Sequence, residues 1–303
     1  MGHDGVSPVV LWRGLLGTVS VFNLCIWILV AAALASRRIG APELERTPGA
    51  RWQLLLSGIF VIGCGFRSLF PRADVQRIVL QDGWFSSVFV GRSVATVAEL
   101  ALVAQYALLF YQAGRSTGQR PLRVIGRVLV PLIVVAEACS WYAVLTTNYL
   151  GNAIEDSIWA LAAGLAAAAF ALLRARAGDR RRRLLFGSAA VACLVYVAFN
   201  GSVDVPNYVH RWLQDQHDGR TYLSLAAGLR DSAERWVVTH EWGAWRDEIP
   251  WMSLYFSIGV WVSLGLARFS GVAQGMERPA RLPGLSQRLT FVPGTSATNR
   301  GAP

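Results

Sequence analysis

Seven long apolar stretches constrain the fold of this chain more than any other feature. They cover residues 15–35, 52–70, 89–111, 128–147, 154–173, 184–200 and 249–269. About 20 apolar residues in helical conformation cross the hydrocarbon core of a bilayer, and each stretch is close to that length. A helix satisfies its own backbone hydrogen bonds inside lipid, so the stretches predict seven membrane-spanning helices.

The composition agrees with this membrane class. The chain is 53% hydrophobic and 16% charged, whereas soluble domains average roughly a quarter charged residues. Most connections are short, which favours antiparallel neighbours in one bundle. We therefore predict an all-α seven-helix domain over residues 1–270 with no separate soluble domain. The segment 271–303 is rich in Pro, Gly, Ser and Arg and is typical of a disordered cytoplasmic tail.

The distribution of charge predicts the orientation. The chain has no lysine, so its 29 basic residues are all arginine, and its net charge is +10. Nineteen of these arginines fall on the side that holds the C-terminus, and eight fall on the other. Since cytoplasmic loops carry the positive excess, the N-terminus is predicted outside and the C-terminus in the cytoplasm. Topology explains the basic excess, and the predicted partner is the lipid bilayer of the plasma membrane, not nucleic acid.

The long segment between the last two stretches contains a further helical pattern. Apolar residues repeat there at helical spacing: Tyr222, Leu225, Ala226, Leu229, Ala233, Trp236 and Val237. Charged residues occupy the opposite face, which predicts an amphipathic helix over 221–238 on the outer surface. Eight of the 12 tryptophans map to this outer half of the protein. They indicate either an interfacial aromatic belt or the walls of a site for an apolar substrate.

Two glutamates are the strongest indication of a functional site. Glu99 and Glu137 lie near the middle of predicted spans, where a charge is costly unless it is neutralised or paired. Arg92, Thr96 and Glu99 are spaced i, i+4, i+7 and share one helix face. If the two carboxyls meet in one cavity, one of them can retain a proton and act as an acid or base. The structural alternative is a glutamate that locks a helix pair or pairs with Arg92.

Two arginines near the outer ends of their spans also have two possible interpretations, one structural and one functional. Arg67 and Arg92 either extend toward the interface or form a clamp for a phosphate or carboxylate group. Together with the two glutamates they predict an outward-opening pocket. Its other substrate-binding residues are predicted to be Ser140, Trp141, Asn148 and Asp204.

Other candidates have simpler interpretations. Asn152 and Glu155 have the spacing of an N-cap and an N3 residue, so Glu155 and Asp156 are predicted to cap the fifth helix. His210 and His217 do not have a recognised zinc spacing, and the sequence predicts neither a metal nor a cofactor. The absence of lysine excludes a retinal Schiff base.

A pocket with aromatic walls and a few charged groups suits an amphiphilic molecule such as a lipid or an isoprenoid. The leading hypothesis is therefore a membrane enzyme in which a buried glutamate performs acid–base chemistry and Arg92 binds an anionic group. A proton- or ion-coupled transporter uses the same carboxylates as relay groups and is the main alternative. A seven-helix receptor or sensor for a small ligand is the third hypothesis.

Overall fold

The computed structural model describes residues 7–40 and 48–268. Among these residues, seven helices are long and apolar enough to cross a membrane, so the chain is a multi-pass membrane protein. The structure is 84% helical, which confirms the all-α class. Which end of the bundle faces the cytoplasm stays a prediction. The predicted tail 271–303 lies outside the described residues.

The elements follow one another in a simple order. They are α1 (Pro8–Gly40), α2 (Pro48–Leu69), β1 (Arg72–Ala73), β2 (Ile78–Val79), α3 (Val88–Ser116), α4 (Arg120–Thr146), α5 (Tyr149–Arg176), α6 (Arg180–Phe199), α7 (Val205–His217), α8 (Leu225–Glu234), β3 (Val237–Val238), α9 (Trp242–Trp245), α10 (Ile249–Leu254) and α11 (Val260–Arg268). A short 3-10 turn covers Trp84–Ser86. Two π-helical turns, Asn200–Asp204 and Tyr255–Gly259, join α6 to α7 and α10 to α11.

Glycines allow the central helices to approach at backbone distance. A Cβ atom on Gly126 of α4 would lie 2.7 Å from the carbonyl oxygen of Ala107 in α3. A Cβ atom on Gly151 of α5 would lie 2.6 Å from the carbonyl oxygen of Cys139 in α4. Both distances are shorter than any real contact, so only glycine permits this packing, which membrane helices use in place of a hydrophobic driving force. The close approach brings α3, α4 and α5 together around the site described below.

One end of the bundle is covered by the segments 70–87 and 218–248, which we call the capped face. There β1 pairs antiparallel with β2, and β2 pairs parallel with β3. Arg77 attaches this cover to the bundle. Its backbone is in the left-handed conformation, with φ 58°. Its guanidinium donates to Asp231 Oδ2 at 2.8 Å and to the carbonyl oxygen of Val144 at 2.8 Å. The sheet and α8 are thereby attached to the end of α4.

The helix predicted over 221–238 is shorter in the structure. It runs only from Leu225 to Glu234, because residues 237–238 are extended and pair with β2. The amphipathic spacing was real, but strand pairing at the capped face ends the helix early.

The sixth span is longer than predicted. The sequence placed its end at residue 200, yet the helix continues to His217 through the π-helical turn Asn200–Asp204. Pro206 explains the turn, because proline donates no backbone N–H and its ring crowds the carbonyl four residues earlier. At 38 residues the helix is about 57 Å long, well beyond the 30 Å hydrocarbon core. His210 and His217, predicted to be loop residues, are exposed on α7.

Candidate functional site

The first residues of α3 place three functional side chains on one face. Ser87 caps the helix, its hydroxyl oxygen accepting from the backbone N–H of Val90 at 3.4 Å. Arg92, Thr96 and Glu99 then follow at i, i+4 and i+7 and face α4 and α5. At 1.5 Å per residue, Glu99 lies about 16 Å from the start of α3. This position is deep inside the span, as the apolar pattern predicted.

Arg92 is the centre of the site. Its Nη2 lies 2.7 Å from Glu137 Oε2, 3.1 Å from Glu155 Oε1 and 3.2 Å from Glu99 Oε2. We call the three glutamates the carboxylate cluster. Oxygens from all three lie within 4.8 Å of one another. The cluster thus joins α3, α4 and α5 through a single guanidinium nitrogen.

Arg67 and Tyr255 connect the cluster to α2 and to the last span. Arg67 Nη1 lies 3.2 Å from Glu99 Oε1, and the Tyr255 hydroxyl donates to the same oxygen at 3.3 Å. The Arg67 guanidinium also packs 5.5 Å from the Tyr255 ring centre and 5.4 Å from that of Phe256. Aromatic faces therefore stabilise a cation that has little contact with water.

Thr96 and Trp141 complete the hydrogen bonds around Glu137. The Thr96 hydroxyl donates to Glu137 Oε2 at 2.6 Å, and Trp141 Nε1 donates to Thr96 Oγ1 at 3.1 Å. Ser140 is fully buried one turn after Glu137. The structure therefore brings together six of the residues predicted for the site, Arg67, Arg92, Glu99, Glu137, Ser140 and Trp141. Their roles in binding or catalysis stay predictions.

The interpretation of Glu155 as a helix cap was wrong. The N-cap of α5 is Asn148, whose Oδ1 accepts from the Leu150 backbone N–H at 2.9 Å. Glu155 is consequently the seventh residue of the helix, too far along to cap it, and is 7% exposed. Its Oε2 accepts from Asn152 Nδ2 at 3.3 Å. Asparagine is a preferred N-cap at position 148 as well as at position 152. A helix that begins after Asn148 would have placed Glu155 inside the helix instead of at its end.

The two remaining predicted residues lie elsewhere. Asn148 has the capping role just described. Asp204 is half-buried in the π-helical turn that follows α6, close enough to Asp156 of α5 for the two carboxylates to repel each other. Asp156, which was also predicted to cap α5, is the eighth residue of that helix and is too far along it to act as a cap.

The electrostatics of the cluster are unbalanced. Three carboxylates face two guanidiniums, so the fully ionised cluster carries one excess negative charge in an apolar surrounding. A terminal guanidinium nitrogen carries two hydrogens and cannot fully satisfy three carboxylates at once. In addition, Glu137 Oε1 is buried and accepts no hydrogen bond from the described part of the chain. The arrangement has the charge and the free acceptor for one additional proton or cation.

The spacing of the three carboxylates could also hold a metal ion, contrary to the expectation that no metal site exists. Carboxylate oxygens are ligands for hard cations. However, Arg92 already places a positive charge within 3.2 Å of each carboxylate. A divalent ion would have to compete with that guanidinium, so the donor set fits a proton better than a metal.

A second buried polar group lies nearer the other end of the bundle. Gln53, Ser57, Gln105 and Ser263 are all fully buried, and we call them the glutamine cluster. Gln53 Nε2 donates to the Gln105 carbonyl oxygen at 2.8 Å, and the Ser263 hydroxyl donates to Gln105 Oε1 at 2.6 Å. Gln105 follows Glu99 by six residues on α3, about 9 Å along the axis.

No protein family, curated protein or solved structure shows significant similarity to this chain.

Proposed function

We propose that this protein is an integral membrane enzyme that uses the carboxylate cluster for acid–base chemistry on an amphiphilic substrate, such as a lipid or an isoprenoid. The proposal rests mainly on one observation. Glu99, Glu137 and Glu155 meet around Arg92 at a depth where ionisable residues are rare and usually functional. A structural lock needs one such pair, whereas this site uses five charged side chains from four helices.

The excess carboxylate supplies the chemistry. Since an unpaired charge in an apolar interior costs several kcal/mol or more, the cluster is most stable when it retains one proton. A carboxyl that keeps its proton near neutral pH is a general acid, and the neighbouring carboxylate is the matching base. Glu137 is the best candidate for proton transfer, because its Oε1 has no donor among the residues that the structure describes, while its Oε2 is held by Arg92 and Thr96.

The substrate class follows from the surroundings. The cluster is enclosed by membrane helices, and its three glutamates are 3% to 7% exposed. A substrate must therefore enter from the lipid or from the capped face by separation of neighbouring elements. An amphiphile has an apolar part for this environment and a polar part for the charged groups. The positive-inside rule predicts that the capped face lies outside the cytoplasm.

Mass spectrometry of reconstituted protein tests the proposal. The purified protein is incubated with a total lipid extract in deuterated water, and products that form or gain deuterium are identified. Glu99→Gln and Glu137→Gln keep the size of each side chain and should abolish these products. Glu234→Gln, an exposed residue at the end of α8, is the matched control and should retain them. Unchanged turnover in both folded variants would exclude the acid–base mechanism.

The glutamine cluster favours a second candidate, a proton- or ion-coupled transporter. Together with the carboxylate cluster it extends buried polar groups along α2, α3 and α11, toward the end opposite the capped face. Such a series of polar groups is typical of an ion pathway across a membrane. Gln105→Leu separates the two functions. In proteoliposomes with an enclosed pH indicator, a transporter would lose proton movement in this variant, whereas an enzyme would keep its turnover.

A further inference from the structure

Two arginines share a narrow hollow beneath the capped face. The hollow is lined by Arg67, Phe70, Arg72, Met252 and Phe256, and we call it the arginine hollow. It is too narrow to admit a water molecule in this conformation. Its charged lining comes from the end of α2 and from β1, and its apolar lining comes mainly from the last span.

The second arginine, Arg72, fits in its position because a neighbouring residue is glycine. The Arg72 guanidinium lies directly over Gly91 of α3, where a Cβ atom would be only 1.7 Å from Arg72 Cζ. Arg72 Nη1 donates to the carbonyl oxygens of Ser87 at 2.9 Å and Phe85 at 3.3 Å. These contacts fix the plane of the guanidinium. The side chain is only 2% exposed, so this position is not an incidental surface contact.

The charge on Arg72 is incompletely compensated. Its nearest carboxylate, that of Asp74, is 4.0 Å away, and its Nη2 is buried with no hydrogen-bond acceptor in the described part of the chain. Burial lowers the pKa of Arg72 to about 10 against the attraction of Asp74, and the positive charge of Arg67 contributes to the decrease. A bound anion would supply the missing acceptor and offset the repulsion between the two arginines.

We propose that the arginine hollow binds an anionic head group, a phosphate or a carboxylate, between Arg67 and Arg72. The ligand's apolar part would pass along Phe70, Met252 and Phe256. Because the hollow is narrow, its lining side chains must move apart for the head group to enter. Arg67 also contacts Glu99, so the bound head group would lie next to the carboxylate cluster. In this respect the inference rests on the proposed function, since it identifies the substrate as an anionic amphiphile.

Thermal unfolding of the purified protein in neutral detergent tests this site. One series adds inorganic phosphate at constant ionic strength, and another adds phosphatidylglycerol against phosphatidylcholine as the uncharged control. A ligand that binds only the folded state raises the midpoint as its concentration increases. Low millimolar phosphate keeps the general stabilisation by excluded salts small. A response to phosphate identifies a free anion as ligand, and a response to phosphatidylglycerol alone identifies a lipid head group.

Three variants locate the response. Arg72→Gln should weaken the apparent affinity about tenfold or more, because it removes a charge-assisted hydrogen bond. Phe70→Trp fills the hollow and leaves both arginines in place, so it decides the question if Arg72→Gln does not fold. Arg235→Gln, whose side chain is 74% exposed on the same face, should bind as the parent does. The inference is overturned if neither probe raises the midpoint, or if folded Arg72→Gln and Phe70→Trp respond like the parent.

Failure of this inference is distinguishable from failure of the proposed function. Glu137 contacts Arg92 and Thr96, so Glu137→Gln should lose turnover and still bind the anion. If it binds the anion and also keeps full turnover, the acid–base role fails while the anion site stands. If it loses turnover but no variant alters the anion response, the acid–base role stands and the anion site fails.

Discussion

Replacement of Arg92 by methionine is the most direct test of the buried network. Methionine retains an unbranched apolar side chain and removes the charge that Glu99, Glu137 and Glu155 share. Removal of one partner from a buried ion pair costs about 3–5 kcal/mol, because the other charge stays buried and unpaired. Here three carboxylates lose their common donor, and Arg67 is the one cation in the described ranges that still contacts them, so we expect destabilisation near the upper end, about 4–5 kcal/mol.

The measurement is equilibrium unfolding in mixed micelles, in which increasing SDS is followed by far-UV circular dichroism. At pH 5 the Arg92→Met protein should regain part of the loss, because a protonated carboxyl needs no counter-charge. The parent should gain less, because only its one excess carboxylate takes up a proton on folding, whereas Arg92→Met leaves two carboxylates without a counter-charge. Arg235→Met removes a side chain that is 74% exposed and forms an i,i+4 pair with Asp231, so it should change stability by less than about 0.5 kcal/mol.

Two results would refute this reasoning. A loss below about 1 kcal/mol for Arg92→Met would place the network in the range of a surface ion pair, not a buried one. A large loss that is the same at pH 7 and pH 5 would point to altered packing volume instead of unpaired charge. A double-mutant cycle adds an independent check, because Arg92→Met and Glu137→Gln share one contact and should be less than additive.

Three further predictions concern the packing of α4 against α5, the N-cap of α5 and the orientation of the protein in the membrane. Gly151→Val should cost about 1–3 kcal/mol, because its side chain would collide with the Cys139 carbonyl and separate α4 from α5. A Cβ atom on Gly164 of the same helix would meet no atom of the described residues within 4 Å, so Gly164→Val should unfold at nearly the same SDS concentration as the parent. Asn148→Ala should lower the stability by about 1 kcal/mol through loss of the α5 cap, and a loss below experimental error would contradict that role. Of two cysteines introduced one at a time at Asp218 and Gly118, only the one at residue 218 should react with a membrane-impermeant reagent added to intact cells. The predicted orientation requires labelling at residue 218, and labelling only at residue 118 would reverse it.

Part of the site could be predicted because it depends on one helix at a time. The spacing of Arg92, Thr96 and Glu99 defines a common face for any α-helix, and the apolar pattern around Glu137 implies its depth. Glu155 could not be assigned in this way. The position of Glu155 in the helix depends on where α5 begins. With an N-cap at Asn152 it is a terminal residue, whereas with the N-cap at Asn148 it is a buried residue inside the helix. Boundaries of helices are the least certain part of any sequence pattern.

The elements outside the membrane were predicted less accurately for a related reason. The spacing over 221–238 is helical, but residues 237–238 gain backbone hydrogen bonds by pairing with β2, which lies about 160 positions earlier in the chain. Arg72 and Arg77 lie between two predicted spans, where the local sequence indicates no particular role for them. Their burial depends on Gly91 of α3 and on the end of α4, and no local pattern contains such contacts.

The sequence by itself determined that this chain is a bundle of membrane helices and that two carboxyls lie deep within it. These properties follow from length and hydropathy, because the hydrocarbon core admits only segments that satisfy their own backbone. Only the tertiary structure decided which charges meet. Arg92 contacts glutamates 7, 45 and 63 positions away. Their balance of three carboxylates against two guanidiniums is a property of how the helices pack, and it is this balance that gives the site its acid–base potential.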